Sequence, residues 1–148
     1  MNEPINRARP GTRQAAVLAW IRLARVYNKI NAVSARQFRN FELSQAQFDV
    51  LAQVGAAGGI SQQELADKLL VTKGNISQLL SRMEQNSLIQ RCQEGRANLL
   101  YLTEAGQELA KVLVPEHEHL IARLMAALCP EEQQQLLALL RKLDHALE

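Results

Sequence analysis

The spacing of apolar residues changes near residue 87, and this change constrains the fold more than any other feature of the chain. Between residues 44 and 86 apolar residues recur every three or four positions, which is the period of an α-helix. The runs 88–92 and 99–102 are instead short and strand-like, and they flank the segment QEGRAN, whose Gly95 suits a tight turn. We therefore predict several helices followed by a two-stranded β-hairpin.

Capping patterns divide the helical part into separate elements. The pairs Ser44 with Gln47 and Ser61 with Glu64 have the spacing of a capping box, in which each side chain bonds the other residue's backbone amide. The glycine-containing run 55–59 is expected to end the first of these helices. The helix after Ser61 is short, and the next one is predicted over residues 72–86.

Long helices are predicted on both sides of this region. One covers residues 12–39, where apolar side chains recur at helical spacing. Another begins after Thr103 and should be kinked at Pro115, whose ring removes a helical hydrogen bond. A last helix begins at Cys129-Pro130, because proline fits the first helical turn. A single domain over residues 1–148 accommodates all these elements, since chains of this length bury a sizeable core.

The order of elements in residues 43–103 is that of a winged helix-turn-helix. In this motif the N-terminal residues of the second helix lie in the major groove of double-stranded DNA. The predicted fold class is therefore mainly α with a small β-hairpin wing, flanked by N- and C-terminal helices at 12–40 and 104–148. The alternative from a different functional class is a protein-interaction module that keeps this fold without binding DNA.

Charge is distributed unevenly along the chain. The formal net charge is only +2, yet residues 1–41 contain eight Arg and Lys against one Glu, and residues 104–148 contain four basic against eight acidic residues. The basic segment is either a solvated helix face or a surface that attracts a polyanion. No apolar stretch of about 18 residues predicts a membrane span, and the N-terminus does not match a signal peptide. We therefore expect a cytoplasmic protein.

Resemblance to a known family is carried by two stretches, ISQQELADKLLVTKGNISQLLSRMEQNSLIQR from Ile60 and LTEAG from Leu102. They resemble the MarR family of bacterial transcription regulators, and the resemblance covers about residues 15–147. It implies a homodimer in which the first helix and the last two helices are dimerisation helices. It also implies a pseudo-palindromic DNA operator and a ligand or oxidant that weakens DNA binding. The resemblance thus favours a ligand-responsive repressor without a cofactor.

The resemblance places the recognition helix at residues 72–85, with Thr72 as its N-cap. Asparagine and glutamine can each form two hydrogen bonds with adenine, lysine and arginine reach guanine or phosphate, and glycine lets the backbone approach DNA closely. Two residues at the start of the preceding helix are candidate phosphate contacts. Plain capping is the alternative for Thr72 and Ser61, and ordinary surface polarity is the alternative for the other polar residues. The candidate DNA contacts of these two helices are Ser61, Gln62, Thr72, Lys73, Gly74, Asn75, Ser77, Gln78 and Arg82.

The predicted wing is about three residues shorter than the family pattern. Family wings commonly carry an arginine that enters the minor groove, and Arg96 is the matching residue here. Glu94 is the matching acidic partner that would orient it. Because the wing is short, a contact of Arg96 with a phosphate is the alternative to insertion into the minor groove.

An effector pocket is expected between the dimerisation helices and the winged part. Its walls would suit a small aromatic or anionic effector, although core packing is the alternative for the aromatic side chains. The residues predicted to line it are Trp20, Arg22, Arg25, Tyr27 and Phe48.

The cysteines and histidines are the residues that could support other chemistry. A thiol at a helix N-terminus can be reactive, so Cys129 makes a thiol-based redox-sensing regulator an alternative. Two residues apart on a helix, His117 and His119 point in different directions and predict no metal site, so we interpret both as surface or interfacial residues. No nucleophile–base pair or phosphate-binding loop is visible, and we predict that the chain is not an enzyme.

Overall fold

The computed structural model describes residues 10–69 and 75–148, and within them it is mainly helical, as predicted. In chain order the elements are α1 (Pro10–Arg39), α2 (Gln45–Ala57), β1 (Ile60–Ser61), α3 (Gln62–Lys68), α4 (Ile76–Gln85), β2 (Ile89–Glu94), β3 (Ala97–Leu102), α5 (Glu104–Met125) and α6 (Pro130–Ala146). Among the described residues no helix combines the length and the apolar character needed to cross a membrane.

The wing is a three-stranded antiparallel sheet with the strand order β1-β3-β2. Strands β2 and β3 form the predicted hairpin, with Ile89 opposite Leu102 and a two-residue turn that includes Gly95 at φ 61°. The additional strand β1 pairs Ile60 with Leu100. This strand was not predicted, because a two-residue strand has no periodicity that a sequence pattern can reveal.

The predicted capping boxes are confirmed, and they explain where the short helices begin. The Ser44 hydroxyl accepts from the Gln47 amide at 3.1 Å, and Gln47 Oε1 accepts from the Ser44 amide at 2.9 Å. At the start of α3 the Ser61 hydroxyl accepts from the Glu64 amide at 3.2 Å, and Glu64 Oε2 accepts from the Ser61 amide at 2.9 Å. Each pair satisfies two backbone amides that a helix start would otherwise leave unbonded.

The start of the recognition helix differs from the prediction. Helix α4 begins at Ile76, and its N-cap is Asn75, whose Oδ1 accepts from the Gln78 amide at 3.2 Å. The prediction that Thr72 is the N-cap was therefore wrong, since asparagine is an equally good cap three residues later. Thr72, Lys73 and Gly74 lie outside the described residues.

The core lies where the end of α1 meets α2, α4, α5 and the sheet. Its largest side chains are completely buried, and each contributes about 1.5–3 kcal/mol by leaving water. The start of α5 packs directly on the backbone before β2, because a Cβ added to Gly106 would lie 2.1 Å from the Leu88 carbonyl oxygen. The wing and α5 are thus fixed to each other. The largest fully buried apolar residues are Phe38, Leu51, Leu65, Leu80, Met83, Leu100 and Leu113.

The outer helices carry apolar side chains that this chain alone does not cover. Helix α6 has no buried residue, and α5 runs continuously through Pro115. On α1, Trp20 is 66% exposed although its spacing fits an inward-facing position. A groove of about 550 Å³ separates the apolar sides of α1 and α6. Its lining residues are Ala16, Ala19, Trp20, Leu23, Leu136, Leu139, Leu140, Leu143 and Leu147.

Candidate nucleic-acid interface

Helix α4 has one face in the core and another in solvent. Leu80 and Met83 are fully buried, and they anchor the helix against the rest of the core. The opposite face is polar and exposed, as the N-terminal part of a helix entering a major groove requires. Four predicted DNA contacts are among its exposed residues, namely Asn75, Ser77, Gln78 and Arg82.

Two of the predicted base contacts are bonded to each other. Asn75 Oδ1 accepts from the Gln78 backbone amide at 3.2 Å, and Asn75 Nδ2 donates to Gln78 Oε1 at 3.2 Å. Asn75 therefore caps the helix and at the same time orders the Gln78 side chain. Gln78 Oε1 keeps its second lone pair, and Nε2 is the donor, so both atoms can still bond an adenine edge.

A second hydrogen-bonded group joins α3, α4 and β2, and we name Gln62, Ser77, Glu84 and Arg91 the Arg91 cluster. Gln62 Nε2 donates to Ser77 Oγ at 3.0 Å. Arg91 Nη1 donates to Gln62 Oε1 at 3.2 Å, and Arg91 Nε donates to Glu84 Oε1 at 2.9 Å. Sequence reasoning missed Arg91 and Glu84, because their distance from Gln62 along the chain gives no local signal.

Ser61, a candidate phosphate contact, uses its hydroxyl within the protein. The Ser61 backbone amide donates to the Glu64 carboxylate, and this bond, together with the adjacent Ser61 hydroxyl, holds the pKa of the Glu64 carboxyl below its ordinary value. The geometry supports plain capping as the role of the Ser61 side chain. Phosphate contacts of Ser61 and Gln62 stay predictions.

The predicted pairing of Glu94 with Arg96 was wrong. Glu94 Oε1 accepts from the Tyr101 hydroxyl at 2.6 Å, and this bond raises the pKa of Tyr101. Within the described residues Glu94 and Arg96 form no ion pair. The cause is the register, which places Glu94 opposite Ala97 and Tyr101 opposite Gln90, on the same face of the sheet. Arg96 lies in the exposed turn, so its contact with DNA stays a prediction.

The residues predicted for the effector pocket lie in three different places. Phe48 is only 7% exposed and stacks on Phe38, with ring centroids 4.2 Å apart, so the alternative of core packing holds for it. Trp20 lines the groove between α1 and α6 instead. Arg22, Arg25 and Tyr27 are exposed along α1. The expectation of one pocket with these five walls was wrong, because helical spacing does not tell which neighbour covers a side chain.

The two histidines of α5 have different surroundings. His119 is exposed, as predicted, but His117 is half-buried. Its Nδ1 lies 3.1 Å from Gln37 Oε1, and its ring packs edge-on against Phe48 with centroids 4.6 Å apart. Burial lowers the pKa of His117, and the nearby charge of Glu118 opposes that shift. No group of three or more metal-binding side chains is found in residues 10–69 and 75–148.

The candidate redox residue Cys129 is exposed at the N-cap of α6. Glu132 Oε2 accepts from the Cys129 backbone amide at 2.9 Å. Cys129 and Cys92 are both free thiols. A redox role for Cys129 stays a prediction.

Comparison with known proteins supports the same fold and function. The MarR family model matches residues 41–97, which include α2–α4 and most of the wing. An uncharacterized HTH-type transcriptional regulator of Bacillus cereus is 36% identical over 120 residues, covering 81% of this chain and 82% of that protein.

Solved structures show the same fold. A MarR-like transcription regulator from Bacillus cereus ATCC 10987 superposes with a TM-score of 0.78 at 20% identity, covering 91% of this chain and 99% of that one. Bordetella bronchiseptica BpsR superposes with a TM-score of 0.72 at 24% identity, covering 82% and 89% of the two chains. The chain therefore belongs to the MarR family of winged helix-turn-helix transcription regulators, which bind DNA, typically as dimers, and are not enzymes.

Proposed function

We propose that the chain is a ligand-responsive repressor that binds a pseudo-palindromic operator as a homodimer in the cytoplasm. The observation that carries this proposal is the exposed polar face of α4, which is held in place by the fully buried Leu80 and Met83 on the other side of the helix. Asn75, Ser77 and Gln78 in its first turn supply the donors and acceptors that base edges require. Arg82, one turn further along, supplies a positive charge for phosphate or guanine.

The homodimer is supported by the uncovered apolar surface of α1 and α6. Contiguous apolar surface of this kind marks an interaction site in proteins. Leu139 and Trp20 are each 66% exposed in this chain, and both line the groove between the two helices. In the proposed dimer the partner's helices fill this groove, and the two copies of α4 face successive major grooves about 34 Å apart.

The dimer is tested with Leu139→Asp, because this side chain is exposed and its replacement leaves the core of the chain intact. Light scattering should give twice the 16.6 kDa chain mass for the wild type and the single-chain mass for Leu139→Asp. Gln134→Asp is the matched control, since Gln134 lies on the same helix outside the groove. A dimeric Leu139→Asp variant would contradict the proposed interface.

DNA binding is tested by fluorescence anisotropy with the upstream region of the gene and a scrambled duplex of equal length. The wild type should prefer the upstream duplex, and its affinity should fall steeply with salt because phosphate contacts release counterions. A chain that forms dimers but binds neither duplex at low salt would instead support the DNA-silent interaction module.

Ligand response is supported by a groove of about 390 Å³ between α2 and α5. The groove is mostly apolar, with Leu51, Ala110 and Val114 among its walls, and Lys111 lies at its side. These features suit a small aromatic anion. BpsR is a structural relative whose DNA binding is regulated by 6-hydroxynicotinic acid.

This part of the proposal is tested with a panel of aromatic carboxylates that includes 6-hydroxynicotinic acid. A bound effector should raise the melting temperature of the protein and weaken its binding to the upstream duplex. The variant Ala110→Trp, which fills the groove, should abolish both effects while keeping DNA binding. If no compound in the panel changes either measurement, the proposed effector class is wrong.

A further inference from the structure

In the Arg91 cluster, the donor-only guanidinium of Arg91 fixes which atom donates and which accepts in each hydrogen bond. An arginine side chain has only donors. The amide group of Gln62 must therefore turn its oxygen toward Arg91 Nη1, at 3.2 Å. Its nitrogen then faces Ser77, and this nitrogen can only donate, so Ser77 Oγ is the acceptor in the bond of 3.0 Å. Within residues 10–69 and 75–148 the Ser77 hydroxyl proton has no acceptor, so it is able to donate to DNA.

The two hydrogen bonds that link Arg91 to Gln62 and Gln62 to Ser77 form what we call the relay. Rigid neighbours hold this relay in place. Arg91 lies in β2 opposite Leu100, a fully buried residue of the central strand. Its Nε donates to Glu84 Oε1 at 2.9 Å, and the two side chains are 29% and 34% exposed. Charge-assisted hydrogen bonds of this kind are shorter and stronger than those between neutral groups. The guanidinium is thus fixed between the sheet and α4.

Ser77 is exposed on α4, on the surface that the proposed function turns toward DNA. Purine N7, guanine O6 and thymine O4 are acceptors on the major-groove edge, whereas the amino groups of adenine and cytosine are donors. A serine hydroxyl normally serves as either donor or acceptor and so distinguishes these edges poorly. Gln62 occupies one of the two acceptor lone pairs of Ser77 Oγ and, by donating to it, strengthens the hydroxyl as a donor. This biases Ser77 toward acceptors on the base edge.

We propose that Arg91 is a positioning residue that, through Gln62, makes Ser77 a selective donor to one major-groove acceptor in the operator. This inference rests on the proposed DNA-binding function. Arg91 itself touches no base and adds no phosphate contact. Its contribution is to specificity.

The test measures affinities for a selected operator and for its single-base-pair variants, with the wild type, Ser77→Ala, Arg91→Met and the double variant. The wild type should discriminate by about tenfold at the base pair facing Ser77, a ratio typical of one base contact. Ser77→Ala and Arg91→Met should each lose this preference, and the double variant should lose no more than either one. Gln78→Ala is the control. Because Gln78 lies outside the relay, the fold-change in affinity caused by Gln78→Ala and that caused by Arg91→Met should multiply when both substitutions are combined.

Gln62→Met removes the middle of the relay without touching the ion pair with Glu84. It should lose the same base preference, which separates the relay from any effect of Arg91→Met on folding. Arg91→Lys, which keeps a donor toward Gln62, should restore part of the preference.

Salt dependence distinguishes this role from a phosphate contact. The slope of log affinity against log salt should stay unchanged in Arg91→Met, whereas a lost phosphate contact lowers its magnitude by about 1. Three results would each overturn the inference. They are a lower salt slope in Arg91→Met, a preserved base preference in Arg91→Met or Gln62→Met, and losses of base preference that multiply in the double variant. A wild type that binds DNA without any base preference overturns the proposed function as well.

Discussion

Asn75 has two roles in the structure, and substitutions can separate them. Its Oδ1 caps α4, and its Nδ2 bonds Gln78 Oε1. Removing an asparagine cap costs about 0.5–2 kcal/mol, and an exposed side-chain pair on one helix contributes about 0.2–0.5 kcal/mol. We therefore expect Asn75→Ala to destabilise the protein by about 1–2 kcal/mol. Asn75→Ser, which keeps a capping oxygen, should lose only the second, smaller contribution.

The loss of base discrimination should rank Asn75→Ala and Asn75→Ser differently from the loss of stability. Neither alanine nor serine can donate and accept at an adenine as an amide does, so both variants should lose about 1–3 kcal/mol of discrimination at the base that Asn75 contacts. Urea unfolding at fixed protein concentration measures the first effect, and anisotropy titrations with operator variants measure the second. If Asn75→Ser is as unstable as Asn75→Ala, the capping argument is wrong. If it keeps the base preference of the wild type, Asn75 only caps the helix.

Three further substitutions test other parts of the structure. Gly106→Ala should destabilise the protein by about 1–3 kcal/mol in urea unfolding, because its Cβ meets the Leu88 carbonyl oxygen, whereas Gly11→Ala, with no atom near its Cβ, should not. The pKa of His117 is lowered below its ordinary 6.5, so stability is fully present above pH 6.5 and is lost as pH falls through the folded-state pKa. Unfolding measured across about pH 5–8 should show that loss in the wild type and in the exposed-site control His119→Gln, and a smaller loss in His117→Gln. Arg82→Ala should weaken binding to all DNA sequences alike and lower the salt slope by about 1, and a change confined to one base position would assign Arg82 to base contact instead.

Local features of the fold were predictable from sequence because their causes are local. Ser44 and Ser61 cap helices three residues from their partners, and the turn at Gly95 depends on its own backbone angles. The start of α4 was harder, since both Thr72 and Asn75 are good caps and propensity does not choose between them. Strand β1 exists only because β3 offers an unpaired edge at Leu100.

The candidate site was predictable as a surface but not as a set of contacts. Exposure of Ser77, Gln78 and Arg82 follows from the helical period, which places Leu80 and Met83 on the opposite side. The partners of these side chains depend on tertiary packing. Arg91 reaches Gln62 from 29 residues away, and Glu94 meets Tyr101 only because of the strand register, and neither pairing has a sequence signal.

Because Gly106 packs directly against the Leu88 backbone, a movement of α5 is transmitted to the wing. Helix α5 has 22 residues and is therefore about 33 Å long. A tilt of about 5° around its far end would move the wing by roughly 3 Å, because no gap at Gly106 can absorb the motion. That displacement is close to the ~3.4 Å rise between neighbouring base pairs. In the proposed DNA complex, a rotation of the outer helices by this amount would move the wing out of step with the base pairs.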